Sequence, residues 1–468
     1  MSSRALTATE QTWSRALTRG TGTTVLVLQM AKPFSEAPLL REILSKLQNS
    51  HPALATKLHH DSAANEWSFV EPSRPSVEVR VHDLKSTSTL LKTLSTKQNS
   101  NNALTPCHLL LEREMNVEEG SWSDPGKFPH EGINVICAGV YALSEAKCAI
   151  VLRLHASVCD RTTAVSLLRE LMELTAEADG VTGKGTGKGI SNDGEGKMGI
   201  EGMIPVGKAK KTIWAHGVDM LGYSVNSFRL SNLKFKDTKM PRFSEVVRMQ
   251  MDARQTAGIF AGCKSRGIKL CGALAAAALI AAHSTKNETD QLTKKKYGVV
   301  TLIDCRPHLE PALSPNHYGF YHAAVLNTHT LKGSEIFWDL ASQTYTDFLR
   351  YKKCNKHFSD MADISFLMRK AMDNPTLTAS SSLRTSLVSV FEDPVIDDSG
   401  LMRKSIGVED YVGCASLHGV GPSLGIFDTV RDGQLDCAFV YPSPLHSREQ
   451  IAELVGRMKK ILVQESSN

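Results

Sequence analysis

A chain of 468 residues, 41% hydrophobic and 22% charged, can bury large cores and predicts two domains of about 200 residues each. The formal net charge of +5 arises from acids and bases mixed along the sequence, which excludes a nucleic-acid-binding stripe and leaves only a mild bias towards anionic ligands. Ten scattered cysteines form no C-x-x-C pair and no zinc-type His/Cys spacing, so no metal site is expected, and free thiols point to a reducing, cytoplasmic setting.

The N-terminus has no apolar leader, and no window approaches the roughly 18 apolar residues of a membrane span. A helix is expected after Thr7, then a strand over 23–30 and a helix over 35–48 that stops at His51-Pro52. Strand-like residues follow over 66–81, a polar helix over 86–98, and further strands at 109–111, 132–139 and 148–156. Val165, Leu167, Leu168, Leu171 and Met172 mark one face of a helix over 162–176, so His155 and Asp160 bracket a tight strand-to-helix turn. Asp160 and Thr162 are suited to cap the N–H groups at that helix start.

Composition then changes. Residues 179–202 are dominated by glycine and cannot support a core, and their Gly-Lys repeats never give the phosphate-loop spacing. We therefore expect domains at 1–178 and 213–468 joined by a flexible Gly/Lys-rich insertion at 179–212, with Lys208–Lys211 as a solvated basic loop.

The second half opens with a strand over 244–251, a helix over 254–266 and an alanine-rich helix over 268–282, whose small side chains require close-packed neighbours. A strand from Tyr297 leads to Arg306, and a second runs on from Asn316-His-Tyr-Gly319-Phe-Tyr-His322. Helices over 338–352 and 361–372 follow, the latter expected to turn Ile364, Phe366, Leu367 and Met368 inward. Strands over 385–391 and 435–441 and a helix over 447–464 close the chain. Separated strands and helices throughout give an α/β class, each domain a mixed sheet flanked by helices.

The turn His155-Ala156-Ser-Val-Cys159-Asp160-Arg161 resembles the His-His-x-x-x-Asp-Gly signature of the CoA-dependent acyltransferase and condensation-domain superfamily. Members include the plant BAHD and alcohol acyltransferases, chloramphenicol acetyltransferase and mycobacterial polyketide-associated acyltransferases. Leu40-Arg-Glu-Ile-Leu44 with His51-Pro-Ala-Leu54, and the passage through Arg306 to Gly319, resemble further family segments, so the likeness runs from residue 4 to 464. The D-F-G-W-G signature of the BAHD branch is missing, which favours the alcohol acetyltransferase or condensation-like branches.

The resemblance implies two chloramphenicol-acetyltransferase-like domains with a tunnel between them, acyl-CoA as co-substrate without a bound cofactor, a small-molecule acyl acceptor and a monomer. It also implies that Asp160 pairs with Arg306 as a structural clasp, and that Ala156, Cys159, Arg161 and Tyr321 line the tunnel. Where the family carries its general base this chain has Ala156, and Arg161 replaces the glycine. His155 is then the first candidate base, although side-chain alternation along a strand would turn it away from a tunnel that Ala156 faces. His322 is a relocated alternative, and Cys159 a candidate nucleophile. Two readings stay open: an acyl-CoA-dependent O- or N-acyltransferase with an atypical site, and a catalytically silent relative that binds a small molecule or a protein.

Overall fold

The computed structural model describes residues 3–32, 37–72, 74–96, 104–117, 122, 124–180, 195–285 and 294–467. The chain forms two units. The first comprises Met1–Met203, Leu309–Tyr321 and Ser399–Ser416; the second comprises Ile204–His308, His322–Asp398 and Leu417–Asn468.

The uninterrupted apolar run after Lys147 becomes a central strand of the first unit, Lys147–His155, because a strand covered on both faces needs no polar alternation. It lies in a mixed five-stranded sheet ordered Val408–Leu417, Thr21–Met30, Lys147–His155, Ile136–Ser144 and Glu78–His82, with only the last pair parallel among the three registers from Thr21 onward. Leu26, Leu28, Ile150 and Leu152 join one core with Leu40, Ile43 and Leu44 of the helix Ala37–Ser50 and with Leu167, Leu168 and Leu171 of the helix Arg161–Ala178. Val25, Val27, Ala149 and Val151 on the other face are buried too.

The helix Pro106–Met115 packs on the two central strands of this sheet. Residues 109–111 were expected as a strand and belong to this helix. Thr105 caps it, accepting from the His108 N–H, and Pro106 stands in its first turn, a start signal that outweighs three consecutive leucines. A second, antiparallel sheet is ordered Ser3–Ala5, Glu66–Val70, Lys57–Asp61 and Ile133–Asn134.

Of the glycine-rich stretch, residues 181–194 lie outside the described residues, and 195–203 are packed into the first unit rather than forming a loose linker. The Gly196 carbonyl accepts from Arg4 Nε at 2.8 Å, and Glu201 accepts from the Thr9 N–H at 2.6 Å. A Cβ on Gly199 would lie 2.5 Å from Thr7 Cγ2. Here glycine serves close approach of two segments, a use that composition cannot distinguish from flexibility.

The second unit is built on a mixed seven-stranded sheet ordered His322–Leu331, Lys295–Asp304, Arg384–Phe391, Gly421–Arg431, Gln434–Ser443 and Phe243–Met251, with Val395–Asp397 also paired to Gly421–Arg431. The alanine-rich helix Leu270–Ser284 is buried along nearly its whole length. At Gly272 an added Cβ would stand 2.9 Å from the Ala341 carbonyl of the helix Phe337–Lys353, so only small residues permit this approach. No single helix among the described residues is long and apolar enough to cross a membrane.

Two neighbouring elements of this unit differ from expectation. Lys211 is not solvated: its ammonium lies 2.5 Å from Asp219, 2.7 Å from Asp360 and 2.7 Å from Asp363, and its side chain is almost wholly buried. Burial alone would lower the Lys211 pKa, but the three carboxylates hold it above its ordinary value. The helix Met361–Asp373 buries Asp363 and Ser365 along with Met361, Ala371 and Met372; of the four residues expected inward, Ile364, Leu367 and Met368 are half-buried and only Phe366 is exposed. The ion cluster around Lys211 is what draws Asp363 inward.

Candidate functional site

The strand Lys147–His155 ends in a 3-10 turn, Ala156–Val158, before Asp160 opens the helix Arg161–Ala178. This places His155, Ala156, Cys159, Asp160 and Arg161 on one turn of the first unit. His155 is fully buried, its backbone paired opposite Thr23 and its N–H bonded to the Val135 carbonyl.

The His155 ring Nδ1 accepts from the Ser157 N–H at 3.1 Å and lies 2.6 Å from Ser157 Oγ, which assigns the ring proton to Nε2. Nε2 is buried and has no hydrogen-bond partner among the described residues, and the Trp122 ring stands edge-on to the imidazole at 5.4 Å. Burial pushes the His155 pKa down to about 3, so the ring is neutral across the physiological range. Ala156 is buried beside Gly22, where an added Cβ would meet Ala156 Cβ at 3.0 Å and the Trp13 ring at 3.2 Å. Cys159 is buried within the hydrophobic core, with its Sγ 3.5 Å from the Asp160 carbonyl.

Asp160 does more than cap. Its Oδ1 accepts from the Thr163 N–H at 2.8 Å, as the sequence predicts for this position, and its Oδ2 accepts from the Tyr321 N–H at 2.7 Å. The Asp160 N–H donates to the Gly319 carbonyl, which also accepts from Thr163 Oγ1, while the Gly319 N–H donates back to that hydroxyl. Four hydrogen bonds of Asp160 and Thr163 thus lock the segment 319–321 to the turn. Gly319 has φ +150°, and a Cβ there would lie 2.6 Å from the Tyr321 ring, so glycine is required.

Sequence reasoning missed the cluster beneath this segment. His51 stacks on Tyr318 with ring centroids 3.6 Å apart and planes 6° from parallel. Its Nε2 lies 2.7 Å from Glu170, which also accepts from the Tyr318 hydroxyl at 3.0 Å, and its Nδ1 lies 3.1 Å from the fully buried Glu195. Burial would lower the His51 pKa, but the two carboxylates outweigh it and raise the value to about 9. Burial likewise raises Glu170, and the bonds from His51 and Tyr318 outweigh it, leaving its pKa below the ordinary value.

The His-Pro pair and a lone acid in a glycine-rich run were the only local signals of this group. Above it, a narrow crevice of the first unit is lined by residues including Arg4, Glu10, Ser157, Tyr318, Phe320 and Tyr321.

The other two predicted site residues, Arg306 and His322, belong to the second unit. Arg306 is buried and bonds Asp304 at 3.0 Å. His322 is the register partner of Asp304 across the adjacent strands, is buried, and sets its ring edge-on to Phe391 at 6.0 Å. None of the ten cysteines forms a disulfide. Among the described residues, no group of three or more His, Cys, Asp or Glu is placed to hold a metal ion.

No protein-family model and no curated protein matches the chain. Solved structures do. A trichothecene 15-O-acetyltransferase from Fusarium sporotrichioides superposes with a TM-score of 0.71 at 10% identity, covering 99% of this chain and 95% of its own. Polyketide synthase associated protein 5 from Mycobacterium tuberculosis gives a TM-score of 0.63 at 16% identity, covering 99% and 98%. The first condensation domain of the calcium-dependent antibiotic synthetase gives 0.64 at 13% identity, covering 100% and 97%. The chain has the mixed α/β fold of these acetyltransferase, polyketide-synthase-associated and condensation-domain structures.

Proposed function

We propose that the chain is an acyltransferase that moves an acyl group from acyl-CoA to a small-molecule acceptor, and that the preferred acceptor is an amine. The fold supports the reaction class by analogy alone. The observation that carries the choice of acceptor is the His155 turn, where Ala156 stands at the position of the base in the family it resembles and His155 is sealed, neutral and tied to Ser157.

A neutral alcohol is a weak nucleophile that needs its proton removed as it attacks, whereas a neutral amine is nucleophilic enough to add first and lose its proton afterwards. The C–N bond forms at the thioester carbonyl carbon, the C–S bond breaks, and the nitrogen's proton leaves with the CoA thiolate. The protein then contributes orientation and exclusion of water more than proton transfer. Towards alcohols, His322 is the histidine assigned the base. Ten cysteines without a disulfide support a cytoplasmic setting, and the protein is taken to act as a monomer.

The test is release of free CoA from a panel of acyl-CoAs with amine and with alcohol acceptors. Turnover with amines that survives His322→Ala, with alcohol turnover lost, is the expected pattern. A second reading, a non-catalytic small-molecule or protein binder, is favoured specifically by Ala156. Absence of CoA release with every acceptor, alongside retained ligand binding, would establish it instead.

A further inference from the structure

The first part of the helix Ile213–Arg229, residues 213–222, carries its polarity inside out. Ile213, Trp214, Val218 and Leu221 are 89, 86, 66 and 66% exposed, and with Gly217 they form a stripe about 140° wide at 100° per residue. Added side-chain bulk at Gly217 or Gly222 would meet nothing within 4 Å. The polar residues point the other way: His216 bonds Asp363 at 2.7 Å, and Asp219 is held by Lys211 and Lys356. The neighbouring helix Met361–Asp373 supplies the buried Asp363 to the same ion cluster. A soluble surface helix has no reason to spend its ionic groups inward and show a tryptophan and three large aliphatic residues to water.

Charge identifies the surface that fits. Residues 204–229 contain four lysines and arginines, Lys208, Lys210, Lys211 and Arg229, against a single acid, Asp219. Lys208 and Lys210 are exposed in the turn that leads into the helix, beside Val206, which is 93% exposed, and Arg229 is exposed at its far end. Cations flanking an apolar stripe that contains tryptophan match the interface of a bilayer carrying negatively charged lipids: the stripe enters the headgroup–acyl boundary and the lysines meet the phosphates and carboxylates.

We propose that the helix Ile213–Arg229 is an interfacial anchor that lays Ile213, Trp214, Val218 and Leu221 into the surface of an anionic membrane without crossing it. The inference rests on the second unit alone and stands whether or not the chain transfers acyl groups.

Co-sedimentation of the full chain with phosphatidylcholine vesicles, with and without phosphatidylserine, tests it. The unsubstituted chain should sediment with phosphatidylserine-containing vesicles and be released by salt. Trp214→Asp and Val218→Asp/Leu221→Asp should each weaken partitioning by about tenfold or more, and Lys208→Glu/Lys210→Glu should abolish the preference for phosphatidylserine. These positions are exposed, so thermal midpoints should be unchanged, and the lysine reversal reads the same interaction through a different part of the surface.

A chain that stays in the supernatant at saturating lipid, or variants that sediment as well as the unsubstituted chain, would overturn the proposal. So would a lipid-free dimer that Leu221→Asp splits, because a second copy would then cover the stripe.

Discussion

Replacing His51 with glutamine should remove a pH-dependent part of the stability of the first unit. The protonated imidazole lies between Glu170 and Glu195 and stacks on Tyr318, and its pKa stands at about 9 against an ordinary 6.5. That difference corresponds to about 3 kcal/mol of stabilisation carried by the charged ring. Because the folded pKa lies above the unfolded one, the contribution is complete below pH 6.5. It declines as the pH climbs from there towards about 9, and is absent above that.

His155, His357, His418 and His446 are pushed down by burial, so their effects fall on the acid side of pH 6.5 and leave this window clear. The buried thiols Cys263, Cys271 and Cys414, raised by burial, add a loss near pH 9 that both proteins share. Urea unfolding of the unsubstituted chain and of His51→Gln from about pH 6 to about pH 10 should show a stability difference that shrinks by about 3 kcal/mol across the range. A difference that stays constant with pH would refute the argument, since the ring would then carry no linked charge.

Three further outcomes follow from the same contacts. Asp160→Ala removes both the cap on Thr163 and the acceptor for Tyr321, and should cost about 2–4 kcal/mol of unfolding free energy, measured by denaturant titration. Gly319→Ala forces a methyl against the Tyr321 ring at an unfavourable φ and should cost about 2 kcal/mol or more, whereas Gly180→Ala, at φ +70° but with nothing within 4 Å, should cost only the backbone strain of about 1 kcal/mol. Lys211→Met leaves Asp219, Asp360 and Asp363 without their shared ammonium, with Lys356 3.3 Å from Asp219 and 3.4 Å from Asp360 and His216 2.7 Å from Asp363. It should destabilise the second unit by roughly 3–5 kcal/mol at neutral pH, with partial recovery in acid as the carboxylates protonate, followed by thermal unfolding.

Elements with a long single-period pattern were legible in the sequence. The strand Lys147–His155 and the helix Arg161–Ala178 lie within two residues of their expected limits, because one carries the apolar run Cys148–Leu152 and the other carries apolar residues at helical spacing. The capping role of Asp160 was legible for the same local reason.

The rest of the site was not. His51, Glu170, Glu195 and Tyr318 come from four distant segments, and no local pattern joins them. Nor does a glycine-rich composition announce that Gly199 will lie against Thr7. The basic run Lys208–Lys211 likewise gives no sign that Lys211 is buried among Asp219, Asp360 and Asp363, which come from two later helices. The strands Val408–Leu417 and Gly421–Arg431 were not assigned from sequence, their glycines and scattered polar residues diluting the alternation.

The central proposal, that this chain binds acyl-CoA as an acyltransferase with Ala156 at the position of the base in the family it resembles, is tested most directly by thermal unfolding with a series of acyl-CoAs of increasing chain length, free CoA serving as control. A ligand at a hundred times its Kd adds about 2.7 kcal/mol to the stability of the folded protein. The account predicts an upward shift of the unfolding midpoint that depends on acyl chain length and exceeds the shift with free CoA. An unchanged midpoint with every acyl-CoA at saturating concentration would contradict it.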